Sequence, residues 1–497
     1  MAVLAYVTSS LFKYVLVVVL CLCCSGDARF KGFRRFMDRT EATQHVAKTG
    51  PEVEDHWFTQ RLDHFNGADT RVWKQRYFIN DSFYRPGGPV FLMIGGEGPA
   101  NPAWMQYGSW LTYAEKLGAL CLLLEHRFYG KSHPTEDLST SNLRFLSSRQ
   151  ALADLAHFRS VVAEERGLAS SRWVAFGGSY PGSLAAWLRL KYPHLVHAAI
   201  ATSAPIHATV NFPEYLEVVW RSLASFSPEC PLLVKQASDT LSQMLKNPLT
   251  FSNITKDFQL CSPLQLDSFM DSAHFLEALA GNFMDVVQYN EDNRAFEGVV
   301  GTNVTIGVLC GAMADASLGS VYERYAGVAR LLLHTHSQRC LDPRYTAYLQ
   351  DMTNTSWSAP GAAGGRQWVY QTCTEFGFYQ STDSPNQPFT GFPLPYHLQQ
   401  CSDIFNVSVD VVAAVRDTNE QYGGYGLRTS RVAFPNGSID PWHALGVTQD
   451  LSQQLPAIFI KGTAHCANMY PARAEDLPQL ALARDHVYLL LQQWLKE

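Results

Sequence analysis

Two stretches early in the patterned part of the chain, Trp57–Phe65 (WFTQRLDHF) and Arg71–Ile79 (RVWKQRYFI), alternate apolar and polar residues. That is the period of antiparallel strands with one face buried and one face wet. The next two runs, Pro89–Ile94 and Ala119–Leu124, are almost wholly apolar, as parallel strands covered on both faces are. Ser147–Glu165 has helical spacing, and Trp173–Phe176 and Ala198–Ala201 are again strand-like. Buried strands alternating with helices predict a parallel α/β sheet. From about Asn211 to Asn419 the pattern turns helical, with a Gly/Ala-rich loop at Ser358–Gly365. Strand signals return at Arg431–Phe434 and Pro456–Ile460, and Ala481–Leu495 forms an amphipathic helix. A sheet interrupted by a long helical insertion accounts for this order.

Composition narrows the class. Of 497 residues, 46% are hydrophobic and 17% charged, which describes a globular chain with ample core. The net charge of −6 is spread without a basic block, so nucleic acid is not an expected partner. Lys13 precedes the apolar run Tyr14–Cys24 and the small residues Ser25 and Gly26, the layout of a secretory signal peptide. A retained anchor is the alternative, but the run is shorter than the roughly 18 residues a spanning helix needs. Eight cysteines follow the signal, six of them between residues 230 and 401, and in an oxidising compartment such clustering predicts disulfides in one region. Six N-glycosylation sequons, at Asn80, Asn253, Asn303, Asn354, Asn406 and Asn436, agree with secretory passage. Asn436 is the poorest acceptor, since it stands four residues before a candidate catalytic acid. The expected division is therefore a signal peptide (1–26), a flexible or pro-like segment (27–54) with Arg34-Arg35 as a processing site, a first sheet-bearing part (55–210), a helical insertion (211–419) and a second sheet-bearing part (420–497).

Three short segments carry candidate chemistry. A nucleophilic serine needs a base, a carboxylate to orient that base, and donors for the developing oxyanion. Ser179, in WVAFGGSYPGSLAAW, follows a strand and precedes a helix, the setting of a nucleophile elbow. Proline occupies position 181, where the usual pattern has glycine, and the glycine comes at 182. Asp440 sits in NGSIDPW after a returning strand, and an Asx-turn or helix cap is its ordinary alternative. His465 sits in GTAHC after the last strand, and a satisfied polar histidine is the alternative there. His443 competes as a base but is close enough to Asp440 to pack locally. The chain order Ser179, Asp440, His465, each after a strand, is the hydrolase order. The amide of Tyr180 and that of Gly95 or Gly96, in the loop IGGEGP, are candidate oxyanion donors. No metal-ligating spacing or dinucleotide fingerprint is present in the sequence, so no metal or cofactor is expected.

GGSYPGSLAAW, EHRFYG, NGSIDPW and GTAHC resemble the serine peptidase family of lysosomal prolylcarboxypeptidase and dipeptidyl peptidase II, nearest its thymus-specific branch, over essentially everything from Trp57 onward. The resemblance implies an α/β-hydrolase fold with an inserted, mostly helical, disulfide-bearing cap, and it carries the family triad onto Ser179, Asp440 and His465. It also implies disulfides Cys373–Cys401, Cys230–Cys310 and Cys261–Cys340, with Cys121 and Cys466 left as free thiols. The implied function is that of a secretory or endolysosomal serine peptidase acting on short peptides. Cleavage would be exopeptidase-like and near proline, and the chain would trim peptides for antigen presentation. Peptides are the expected partners, with no membrane span after signal removal and a homodimer as a possible assembly. An esterase or lipase of the same fold, or a catalytically silent binding protein, remains the alternative.

Overall fold

The computed structural model describes residues 53–497; the expected signal peptide, the segment up to residue 52 and Arg34-Arg35 lie outside the described residues. Among the described residues there are ten strands: β1 (His56–Arg61), β2 (Val72–Asn80), β3 (Val90–Ile94), β4 (Leu120–Leu124), β5 (Trp173–Gly178), β6 (Ala198–Thr202), β7 (Thr209–Asn211), β8 (Gly377–Tyr379), β9 (Val432–Gly437) and β10 (Ala457–Ile460). Eight of them form one sheet in the order β1-β2-β4-β3-β5-β6-β9-β10. β2 runs antiparallel to β1 and β4, and every other pair in that sheet is parallel. This order, with a helical excursion between β6 and β9, is the α/β-hydrolase fold.

The apolar runs become central strands because both faces are covered. Val90, Leu92 and Ile94 of β3 and Trp173 and Ala175 of β5 join one core, packed under helices Ser148–Glu165 and Tyr180–Lys191. Phe91 and Met93 of β3 and Val174 and Phe176 of β5 point the other way, into a second core under helices Ser109–Leu117 and Pro478–Trp494. The first core continues without a break into the helices between β7 and β9. Three disulfides stitch that helical stretch: Cys230–Cys310, Cys261–Cys340 and Cys373–Cys401. Cys121 and Cys466 are free and buried. The sequence pattern missed β7 and β8, a parallel pair in register at Thr209↔Gly377 and Asn211↔Tyr379. Each is three residues long, too short for any period to register. The Gly/Ala-rich stretch is also more ordered than a loop: Pro360–Ala363 forms a 3₁₀ turn and Gly365 opens a helix.

Two buried ionic clusters, both rooted in EHRFYG, fix the loops beyond β4. Glu125 accepts from Arg76, from the amides of Ala100 and Lys131 at 3.0 Å each, and from Ser132 Oγ at 2.6 Å. Arg127 grips Asp154 through Nε and Nη2 at 2.6 Å each and donates through Nη1 to the carbonyls of Leu62 and Phe145. Both partners are almost completely buried, so each charge depends on the other to offset its lost hydration. Burial works against the Asp154 charge, yet Arg127 and His64 hold its pKa below the usual carboxylate value. Asp154→Ala, which leaves the guanidinium buried and uncompensated, is expected to cost about 3–5 kcal/mol. A urea unfolding midpoint within error of the parent's would refute this account of the cluster.

Candidate active site

The β5 strand ends at Gly178 and helix Tyr180–Lys191 starts at Tyr180, so Ser179 alone makes the turn. It does so with φ 65° and ψ −135°, a region a side chain rarely enters and one that costs on the order of 1–3 kcal/mol. The turn is held from both sides. Ser179 N donates to Thr202 O of β6 at 2.9 Å, and Ser179 O accepts from the amides of Gly182 and Ser183 at 2.8 and 3.1 Å. As the first helical residue, Tyr180 has no carbonyl one turn behind it within the helix, so its amide is open and lies at the positive end of the dipole. Its side chain turns inward, where the hydroxyl meets His126 Nε2 at 3.0 Å and Gln371 Nε2 at 3.1 Å.

The displaced glycine has a structural reason. A Cβ on Gly182 would stand 2.6 Å from Thr202 O, so at position 182 the helix lies too close to β6 for a side chain. Position 181 faces elsewhere: the Pro181 ring lies on the loop after β3, where a Cβ on Gly96 would meet Pro181 Cγ at 2.4 Å. The same loop separates the two candidate donors. Gly95 N is already engaged with Leu124 O at 2.9 Å, whereas no backbone acceptor among the described residues takes the Gly96 amide. Gly96 therefore remains as the candidate second donor and Gly95 does not.

Asp440 and His465 come from turns after β9 and β10. Asp440 is fully buried and does two jobs with one oxygen. Oδ1 accepts from Trp442 N at 3.0 Å, capping the turn Pro441–Leu445, and from His465 Nδ1 at 2.9 Å. Capping the turn and holding the imidazole are therefore not alternatives for this acid. His443 instead pairs through Nδ1 with the backbone oxygen of Asp440 at 2.7 Å. His465 is 2% exposed, and its amide donates to Gln288 O at 2.9 Å. Burial disfavours the imidazolium, but the charge and hydrogen bond of Asp440, with the neighbouring Cys466 side chain, raise the His465 pKa well above the ordinary histidine value. Ser179, Pro181, Gly96 and His465 line one cavity of about 230 Å³. That cavity brings together a hydroxyl, an imidazole oriented by a buried carboxylate, and the loop that carries the open Gly96 amide.

Comparison with known proteins now decides the class. The family model for serine carboxypeptidase S28 matches residues 60–487. The chain belongs to the serine carboxypeptidase S28 family. It is 40% identical over 462 residues to thymus-specific serine protease of Mus musculus, covering 90% of this chain and 89% of that protein. The human thymus-specific serine protease is 39% identical over 454 residues, covering 88% and 86%. Lysosomal Pro-X carboxypeptidase of Mus musculus is 30% identical over 460 residues, covering 88% of each. The protein is accordingly a serine peptidase of this S28 family.

Several residues around the cavity escaped the sequence reading. Gln288, at the end of helix Phe269–Gln288, receives Tyr215 OH at 2.6 Å and Trp442 Nε1 at 3.0 Å on its side chain while its carbonyl holds His465. Glu97, Arg294 and Tyr470 also line the cavity. They lie in irregular segments where no period marks an inward face. Among the sequons, Asn253, Asn303, Asn354 and Asn406 are exposed. Asn80 is half-buried with Nδ2 on Met105 O at 2.7 Å, and Asn436 is buried with Nδ2 on Val447 O at 2.9 Å. A glycan on Asn436 is incompatible with this packing. No helix among the described residues is long and apolar enough to cross a membrane.

Gly182→Ala tests the elbow. Overpacking against Thr202 O is expected to cost about 1–3 kcal/mol, lowering the urea midpoint and slowing fluorophosphonate labelling together. Unchanged values for both would mean that the helix does not need this close approach.

Proposed function

We propose that Ser179 is the acylating nucleophile of this peptidase, with His465 its base and then its acid, and Asp440 the group that orients the imidazole and stabilises its charged form. Attack on a peptide carbonyl would place the oxyanion between the Tyr180 and Gly96 amides. The observation that carries this reading is the buried Asp440–His465 pair facing the same cavity as a serine held at φ 65°.

Residues 211–419 act in this scheme as a cap that narrows access and favours short peptides cleaved near an end. The preference for proline at the cleavage site is taken from the name of the Pro-X carboxypeptidase relative, and the role in preparing peptides for antigen presentation from the thymus-specific relatives. Three disulfides and four exposed sequons favour a route through the secretory pathway, with an endolysosomal or vesicular destination. Glycans are assigned to Asn253, Asn303, Asn354 and Asn406.

Ser179→Ala is expected to abolish both fluorophosphonate labelling and cleavage of a short-peptide library followed by mass spectrometry. Labelling of the variant at the parent's level would move the nucleophile elsewhere. Asp440→Asn should lower kcat by about 10⁴-fold, by allowing the wrong imidazole tautomer; a loss below tenfold would remove Asp440 from the mechanism. The pH dependence follows from the sign of the His465 shift. Only the neutral imidazole is a base, and Asp440 stabilises the charged form, so kcat/KM should rise with pH through a value above about 6.5. A parent profile already flat from pH 5 to 7 would contradict this electrostatic reading.

A further inference from the structure

Arg294 follows helix Phe269–Gln288, in a polar segment (NEDNRAFEG) with no distinguishing pattern. It is 6% exposed and lines the cavity that contains Ser179 and His465. Its Nε donates to Asp292 Oδ2, and its guanidinium lies over the Tyr289 ring, 3.5 Å from the centroid. Tyr289 meets the His465 imidazole edge to face, with centroids 5.7 Å apart. The cation is thus one aromatic ring away from the proposed base. Asp292, which holds that Nε, does not itself line the cavity. Among the described residues, Nη1 and Nη2 have no acceptor. A buried guanidinium that lines a cavity with only Nε anchored suits a planar anion.

The position matters as much as the charge. In acyl transfer, the histidine delivers its proton to the departing amine, so the leaving residue lies on the His465 side. When one residue leaves from a C terminus, its carboxylate is one Cα away from that amine, a span of about 3.5 Å. A cation one ring from His465 is placed to take it. Two further acids bear on the choice. Glu297, also on the cavity wall, accepts from Trp104 Nε1 at 2.8 Å. Glu97, on the loop after β3, has Oε2 buried without a partner among the described residues, and burial raises its pKa toward the neutral acid. Arg294 is the one Arg or Lys side chain among the described residues lining this cavity, and Glu297 is the acid on the same wall that acts on its charge.

We propose that Arg294 binds the α-carboxylate of the substrate's C-terminal residue and so directs this enzyme to cleave from the C terminus. This rests on Ser179 and His465 being the reacting groups, and the test separates the two ideas. Binding is measured by calorimetry on full-length Ser179→Ala, with a short peptide bearing a free C-terminal carboxylate, the same peptide as its C-terminal amide, and a C-terminal amide ending in Asp. The free acid should bind about 10- to 100-fold more tightly than its amide, and the Asp-ending amide should bind like the plain amide. Adding Arg294→Met should bring the acid and amide to near parity. Arg294→Lys keeps a charge beside Asp292 if the Met variant does not fold, and should lose most of the preference because it cannot bind bidentately. Equal binding of acid and amide, tight binding of the Asp-ending amide, or full preference in the Lys variant each overturns the proposal. A parent chain that labels at Ser179 yet binds acid and amide alike defeats this inference alone. Absent labelling defeats the Ser179 assignment and leaves the binding comparison valid.

Discussion

The close approach of helix Tyr180–Lys191 to β6 is the constraint on which the rest of the site depends. Less than a methyl group's clearance separates position 182 from Thr202 O, so the chain must reverse direction within one residue, and Ser179 takes the left-handed conformation that permits it. The strain is borne because hydrogen bonds on both sides leave the backbone no lower-energy path. Once the turn is set, the Tyr180 amide is the first of the helix and the Pro181 ring presses on Gly96. The loop after β3 is thereby positioned against the same helix.

The helical insertion completes the site. Gln288 links three things through one residue: its carbonyl holds the His465 loop, and its side chain meets Tyr215 and Trp442, the latter in the turn that bears Asp440. The continuous core beneath makes this link stiff. Glu125 and Arg127 do similar work elsewhere, drawing the loops after β1, β3 and β4 onto buried charges whose hydration is replaced by hydrogen bonds. In EHRFYG the two long charged side chains are scaffold, and His126 supports Tyr180 from within. The motif is distinctive in sequence for what it holds in place.

Much of this was legible beforehand for a physical reason. Strands buried on both faces are apolar throughout, and the half-buried pair β1 and β2 alternates, so the large sheet shows in the pattern. A nucleophile, its acid and its histidine stand after strands in a fixed order, which survives in one dimension. The three disulfide pairs matched only because the resemblance supplied them, since six cysteines alone allow fifteen pairings. β7 and β8 were invisible because three residues show no period. Gly95 and Gly96 were indistinguishable until the sheet used one amide and left the other.

The sequence by itself determined the hydrolase sheet, the helical interruption and the three residues from which a peptidase site can be built. Local patterning and chain order carry that information. Only the tertiary structure decided which oxygen of Asp440 meets His465, why glycine stands at 182 while proline stands at 181, and that Arg294 enters the cavity at all. Those outcomes depend on contacts between segments far apart in the chain, where burial and hydrogen-bond geometry, rather than residue type or spacing, select the partner.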